Sequence, residues 1–244
     1  MKTIYIKKST IKLFFIILAI FVFDITLVHI NSDSFSPSPK EQELIEKYNN
    51  KKLLILTFDD GPSKHTSDIL NILREENVKA NFFILGESAI KYPEILQQEK
   101  NEGHVIGIHS YKHIFFTKVS REEVLDQITT TSNIIYEITQ EIPSYIRVPY
   151  GILNDDVKDI IESQELQSVL WNVDSLDWNY KNTEKIVSHV IDTTTGNDII
   201  LMHDTFDTTV SAVQRLIKYY KENGFEFVTL NEFERIKNMS KSLK

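Results

Sequence analysis

The feature of this sequence that most limits its fold is a repeated alternation, beginning at Leu53, between short apolar runs and longer amphipathic stretches. Seven apolar runs of strand length follow one another, and a stretch of helical length lies between each neighbouring pair. Strands that alternate with helices are typical of a parallel sheet covered by helices. The sequence therefore predicts an α/β fold, as an open sheet or as a sheet closed into a barrel.

Turn and capping residues mark the limits of these segments. The predicted strands cover residues 53–58, 80–85, 104–108, 145–148, 167–173, 198–202 and 225–229. The predicted helices cover residues 66–76, 92–101, 120–139, 154–163, 183–191 and 208–223. Ser120 and Glu123 have the spacing of a capping box, and Gly224 follows the last helix as a typical stop.

Polar side chains suited to chemistry stand at the carboxyl ends of five predicted strands. They are Asp59 and Asp60, His109 and His113, Arg147, Asp174, and His203. The carboxyl ends of the strands in a β/α barrel form one face, and that face carries the active site. We therefore expect these side chains to converge, although they are far apart in the chain.

Two imidazoles and a carboxylate at one face predict an open metal site. Alone, Asp59-Asp60-Gly61-Pro62 is also a turn sequence, and a pair of loop histidines is often structural. Because the chain has no cysteine, a metal here must take nitrogen and oxygen ligands. Three protein ligands leave a position for water, which a metal activates as a nucleophile. The chain is thus predicted to be a hydrolase.

The remaining polar groups fit the proton transfers that hydrolysis needs. One of the two adjacent aspartates can bind metal while the other acts as a base, and His203 is then the natural acid. Arg147 is interpreted as a group that fixes a nearby carboxylate and lowers its pKa, and Asp174 as a group that keeps an imidazole protonated. The alternative for both is an ordinary ion pair at the barrel rim.

Five motifs, in order, extend this interpretation to a family. They are Thr57-Phe58-Asp59-Asp60-Gly61-Pro62, His109-Ser110-x-x-His113, Arg147-x-Pro149-Tyr150-Gly151, Asp174-x-x-Asp177-Trp178 and Leu201-x-His203. They resemble the motifs of polysaccharide deacetylases with the NodB homology domain, carbohydrate esterase family four. The resemblance covers about residues 52–233. It implies a distorted, TIM-like (β/α)7-8 barrel and metal-dependent removal of N-acetyl groups from amino-sugar polymers.

The resemblance also assigns roles to the polar residues. It implies that Asp59 is the general base and that a metal is held by Asp60, His109 and His113. The metal is most often zinc, with Co²⁺ or Mn²⁺ as alternatives. Arg147 would orient Asp59, and Asp174 would pair with His203, the general acid.

Further positions are implied to contact the substrate. The backbone N–H of Tyr150 would stabilise the oxyanion, and Trp178 and Leu201 would wall the pocket for the acetyl methyl group. Three departures from the family pattern, Ile108, Ile146 and Val148, concern loop shape and remove no catalytic group. Tyr111, Phe115 and Phe116 follow the metal motif as a candidate sugar-stacking platform, with core packing as the alternative for the two phenylalanines.

The amino-terminal region predicts export. Lysines precede an apolar run at residues 13–23, as in a signal peptide, and apolar character continues past Asp24 to Ile30, almost the length of a membrane span. We interpret residues 1–30 as a signal peptide or an anchor, with preference for an anchor. Residues 31–50 are a predicted linker, 51–236 the catalytic domain and 237–244 a carboxyl-terminal tail. The domain is expected outside the membrane of a bacterial cell.

Charge and composition limit the partners. The chain has a formal net charge of -8, which argues against nucleic acid as a partner. The expected partner is an amino-sugar polysaccharide, with the amino terminus in contact with the membrane and the domain as a monomer. The alternatives are an O-acetyl xylan esterase of the same fold and a catalytically silent, surface-anchored glycan-binding protein.

Overall fold

The computed structural model describes residues 38–48 and 51–242. The strands in this part of the chain are β1 (Lys52–Asp59), β2 (Asn81–Ile84), β3 (Val105–Ile108), β4 (Tyr145–Ile146), β5 (Gln167–Ser168), β6 (Val173–Asp174), β7 (Asp198–His203) and β8 (Phe225–Phe227). The helices are α1 (Pro39–Tyr48), α2 (Thr66–Glu75), α3 (Gly86–Lys91), α4 (Pro93–Asn101), α5 (Arg121–Thr139), α6 (Asp155–Ser163), α7 (Asp177–Tyr180), α8 (Thr183–Thr193), α9 (Asp207–Glu222) and α10 (Leu230–Ser242).

All strand pairs among the described residues are parallel. The strand order is β5-β4-β3-β2-β1-β7-β6, and β8 pairs with the start of β1. The edge strands β5 and β6 do not pair with each other in the described part of the chain, so the curled sheet is an incomplete barrel. This confirms the predicted distorted β/α barrel.

The alternation of side chains along β1 explains why the site lies inside the incomplete barrel. Leu54, Leu56 and Phe58 belong to the large apolar cluster between the sheet and the helices. Leu53 and Ile55 point the other way and pack in a smaller interior cluster. Because successive strand side chains alternate between faces, Asp59 belongs to the interior set. The interior-facing side chains of β1 are therefore Leu53, Ile55, Thr57 and Asp59, a column that ends in a carboxylate.

The predicted strand over residues 167–173 is wrong, since the structure divides it into β5 and β6. The residues between them contact Arg147, whose Nε donates to the Val169 carbonyl at 3.2 Å and whose Nη2 donates to the Leu170 carbonyl at 3.3 Å. These two carbonyls therefore bond to a side chain at the point where the pairing of β5 with β4 ends. The chain then crosses to the other edge of the sheet, where β6 pairs with β7.

Several helices were not expected from the sequence. The two short helices α3 and α7 flank the site, while α1 lies within the predicted linker and α10 continues through the predicted boundary at residue 237. Tyr48 of α1 is buried in the interior cluster together with Leu230 of α10. Both ends of the described chain thus pack against the barrel.

No helix within residues 38–48 and 51–242 is long and apolar enough to cross a membrane. The predicted signal peptide or anchor at residues 1–30 lies outside the described residues, as do residues 31–37 and 49–50 of the predicted linker.

Candidate active site

A buried ion pair holds the carboxylate at the end of β1. Arg147 Nη1 donates to Asp59 Oδ1 at 2.8 Å and to Thr57 Oγ1 at 2.7 Å. The guanidinium is fully buried and lies over the rings of Phe83 and Trp171. Burial raises the pKa of Asp59, and the Arg147 charge acts in the opposite direction. Arg147 therefore fixes one oxygen of Asp59, and Asp59 Oδ2 is the oxygen that remains for chemistry.

Asp60 points away from its neighbour because its backbone is left-handed, with φ of 75°. Its Oδ1 lies 3.6 Å from His109 Nε2 and 3.6 Å from His113 Nε2. Ligand atoms of these three residues lie within 4.8 Å of one another. The adjacent aspartates thus face different partners, as two separate roles require.

The donor chemistry of this triad fits a divalent cation. Asp60 Oδ1 is buried without a hydrogen-bond partner, which leaves a lone pair free for a cation. His109 Nδ1 lies 2.6 Å from the Arg147 carbonyl, so this nitrogen carries the proton and Nε2 is free. Burial lowers the pKa of His109 to about 3, which keeps the imidazole neutral. A neutral imidazole with a fixed tautomer is the form that binds metal.

The loop that carries His113 is held by residues that the sequence did not single out. Gln127 of α5 is buried, and its Oε1 accepts from the backbone N–H groups of Tyr111 and Lys112 at 3.0 Å each. A Cβ on Gly86, the first residue of α3, would lie 2.4 Å from the Tyr111 ring. A side chain at position 86 would therefore require the Tyr111 ring to move.

His203 is paired with Asp177, which corrects the predicted pairing with Asp174. His203 Nδ1 lies 2.7 Å from Asp177 Oδ1, and the backbone N–H of His203 donates to Asp177 Oδ2 at 2.7 Å. Asp174 instead accepts from the Leu176 N–H at 2.8 Å. The left-handed backbone of Leu176, with φ of 55°, turns the chain so that Asp177 reaches the end of β7. Asp174 still lines the cavity.

This contact determines the charge of His203. Burial alone would lower the pKa of His203, but the hydrogen bond and charge of Asp177, with smaller contributions from Asp59 and Asp60, raise the pKa to about 9. Asp177 is fully buried and also accepts from Thr209 Oγ1 at 2.7 Å. His203 is therefore an imidazolium at neutral pH, and its Nε2 carries a proton.

Tyr150 lies between two aromatic rings at the rim. Its ring stacks on Phe115 with centroids 3.6 Å apart and meets the edge of His113 at 4.6 Å. Its backbone is left-handed, with φ of 63°, and 48% of the residue is exposed. Of the predicted sugar-stacking platform, only Phe115 joins this rim, because Phe116 is buried in the core and Tyr111 packs on Gly86.

These groups share one cavity of about 400 Å³. Every catalytic, metal-binding and acetyl-pocket residue expected from the sequence lines it except Arg147, which lies beneath Asp59. The sheet register contributes directly, since Asp59 pairs with His203, and Leu201 pairs with Asp174. Trp171 and Phe206 also line the cavity and were not expected. Trp171 was not expected to face the cavity because it lies within the predicted strand 167–173, which the structure divides into β5 and β6.

Comparison with known proteins identifies the family. The chain matches the polysaccharide deacetylase family over residues 46–169. It belongs to that family. The match covers the metal triad and Arg147, and the region around Asp177 and His203 lies beyond it.

Similar proteins extend the match over most of the chain. The chain is 38% identical over 199 residues to the peptidoglycan-N-acetylglucosamine deacetylase PgdA of Listeria monocytogenes, covering 81% of this chain and 42% of that protein. It is 40% identical over 187 residues to a peptidoglycan-N-acetylglucosamine deacetylase of Bacillus cereus, covering 74% of this chain and 68% of that protein. The chain thus spans less than half the length of the Listeria relative.

A solved structure shows the same architecture. The peptidoglycan deacetylase PdaC from Bacillus subtilis superposes with a TM-score of 0.76 at 35% identity, covering 80% of this chain and 95% of that chain.

Proposed function

We propose that this polysaccharide deacetylase is a metal-dependent hydrolase that removes N-acetyl groups from N-acetylglucosamine units of a cell-surface polysaccharide. One observation supports this most directly: a metal-binding triad, a buried carboxylate and an imidazolium line the same cavity. The names of the Listeria and Bacillus relatives favour peptidoglycan as the polymer. A chitin-like chain or an exopolysaccharide is the alternative substrate.

A divalent cation held by Asp60, His109 and His113 would supply Lewis-acid activation of water and of the acetyl carbonyl. Zinc is the proposed metal, because a site of one carboxylate and two imidazoles offers only oxygen and nitrogen donors, with Co²⁺ or Mn²⁺ as alternatives.

In the proposed reaction the chain's own residues move two protons. Asp59 Oδ2 takes a proton from the attacking water as the C–O bond forms, while Arg147 keeps Oδ1 in place. His203 Nε2 donates its proton to the sugar nitrogen as the C–N bond breaks, and acetate and a free amine are the products. Asp177 stabilises the charge of His203 throughout.

Substrate contacts complete the proposal. The backbone N–H of Tyr150 would donate to the acetyl oxygen as negative charge develops there. Leu201 and the half-exposed Trp178 would contact the acetyl methyl group. All of these groups belong to one chain, which supports a monomer as the active form.

Two observations weigh against the alternatives. An amine leaving group must be protonated, whereas an alcohol needs this less, and a pKa of about 9 for His203 keeps that proton available. This favours an N-acetyl substrate over O-acetyl xylan. A silent glycan-binding protein has no use for a buried base and a paired acid.

Mass spectrometry of treated polymers tests the function. The metal-loaded chain is expected to remove acetyl groups from peptidoglycan fragments, leaving free amines, and to leave O-acetyl xylan largely intact. The Asp59→Asn variant serves as the inactive control. Acetate release from O-acetyl xylan alone would favour the esterase, and no release from any polymer would favour the binding protein.

We also propose that the domain acts outside the cytoplasmic membrane and stays tethered to it by residues 1–30. The lysines before the apolar run, together with a glycan substrate at the cell surface, support this. Fractionation of cells that produce the chain, with amino-terminal sequencing, should find it in the membrane with its first residues intact. Protein in the medium that begins beyond Ile30 would contradict the anchor, and protein only in the cytosol would contradict export as well.

A further inference from the structure

We propose that Lys118 and Lys181 make the catalytic site selective for glycan strands that carry carboxylates beside the N-acetylated sugar. This selectivity rests on the proposed deacetylase function and adds a chemical class of substrate to it. Each ammonium group lies over an aromatic ring at the rim of the cavity.

Lys118 ends a stack of rings that leads out of the site. Its Nζ lies 4.0 Å from the centroid of Phe115, which stacks on Tyr150, which in turn meets His113. The ammonium group is thus separated from a residue of the metal triad by two aromatic rings. A sugar next to the one being deacetylated would pass over this part of the rim.

Lys181 occupies an equivalent position on the side of His203. Its Nζ lies 5.9 Å from the centroid of Phe206, which lines the cavity and stands edge-on to His203 with centroids 6.1 Å apart. One exposed ammonium group therefore lies two rings away from the metal triad, and a second lies one ring away from the imidazolium.

Neither ammonium group is neutralised by the protein. Lys118 and Lys181 form no ion pair within 4.0 Å among the residues that the structure describes. Five other lysines do form ion pairs with a carboxylate, namely Lys51, Lys100, Lys158, Lys221 and Lys237. In a chain with a net charge of -8, unpaired cations beside the site are available to a ligand.

The arrangement suits a strand with acidic substituents. Exposed aromatic rings stack on sugars of any charge, so the rings alone do not distinguish polymers. An ammonium group over a ring face keeps its N–H donors free, and these pair with a carboxylate more strongly than with a neutral hydroxyl or acetamide. Acidic ether or peptide groups on the neighbouring sugar would meet these donors, whereas a neutral chitin-like strand has none.

Charge reversal tests this selectivity. Metal-loaded full-length wild type, Lys118→Glu, Lys181→Glu and Lys118→Gln would be assayed on one soluble peptidoglycan fragment with free carboxylates and on the same fragment with its carboxylates amidated. Lys52→Glu is the matched control, because Lys52 also lies over an aromatic ring, that of Phe225 at 5.1 Å, but at the opposite end of β1.

The wild type is expected to prefer the free-carboxylate fragment, and this preference should shrink at high salt. Each reversal at Lys118 or Lys181 should lower kcat/KM on that fragment about five- to tenfold, mainly through KM. Lys118→Gln should give a smaller loss. On the amidated fragment all variants should stay within about twofold of wild type, as should Lys52→Glu on both fragments.

Equal turnover of both fragments by the wild type would overturn the selectivity and leave the deacetylase function in place. So would a loss in Lys118→Glu that is the same on both fragments, since that loss would reflect damage to the site. If neither fragment loses acetyl groups, the proposed function and the selectivity both fail.

Discussion

Replacement of Asp59 by Asn is expected to lower turnover of an N-acetylated substrate at least roughly a hundredfold while leaving the metal bound. The amide keeps an oxygen that Arg147 can hold but cannot take a proton from water. Metal binding should persist, because the triad of Asp60, His109 and His113 does not include Asp59. Steady-state kinetics and metal analysis of the purified protein measure both effects.

The matched variant is His113→Ala, which should lose metal and activity together. Distance alone does not decide which aspartate is the ligand. Asp59 Oδ2 lies 3.7 Å from His109 Nε2, and Asp60 Oδ1 lies 3.6 Å from the same nitrogen. A metal-free Asp59→Asn protein would make Asp59 a ligand. A His113→Ala protein with its full metal content would show that His113 is not a metal ligand.

The convergence of these residues could be predicted from sequence because it depends only on topology. Parallel strands joined by helices bring all their carboxyl ends to one face. Residues directly after each strand therefore lie close together, regardless of the structure of the loops. Alternation along β1 then places Asp59 inside the curl. The strongest predictions therefore concerned residues attached to strands, such as Asp59, His109 and His203.

The parts that sequence did not predict depend on the backbone of loops. Asp174 and Asp177 are three residues apart, and the left-handed conformation of Leu176 decides which one reaches His203. Likewise, the segment between β5 and β6 has carbonyls that accept from Arg147, far away in the chain. Gln127 lies within a helix whose periodicity gives no sign that its amide supports a loop. Such contacts are long-range and leave no local pattern.

Replacement of Asp177 by Asn is expected to move the alkaline limb of the kcat/KM profile to lower pH. His203 must be protonated to act as the acid, so wild-type activity should fall as pH rises through about 9. Without the Asp177 charge, burial still lowers the pKa of His203. The alkaline limb should therefore move to lower pH by about one to three pH units. At pH 8 the variant would then have lost half or more of its activity, whereas near pH 6 half or more would remain.

Asp174→Asn is the matched control, because it removes a carboxylate from the same cavity without touching His203. Its alkaline limb should stay near the wild-type position, and His203→Ala should lose at least roughly a hundredfold at every pH. Thermal unfolding and metal content of each variant separate a shifted pKa from a damaged fold, because Asp177 also accepts from Thr209. An alkaline limb that moves in Asp174→Asn and stays in Asp177→Asn would restore Asp174 as the partner of the acid. A His203→Ala enzyme with near-normal activity would show that the amine receives its proton from another group.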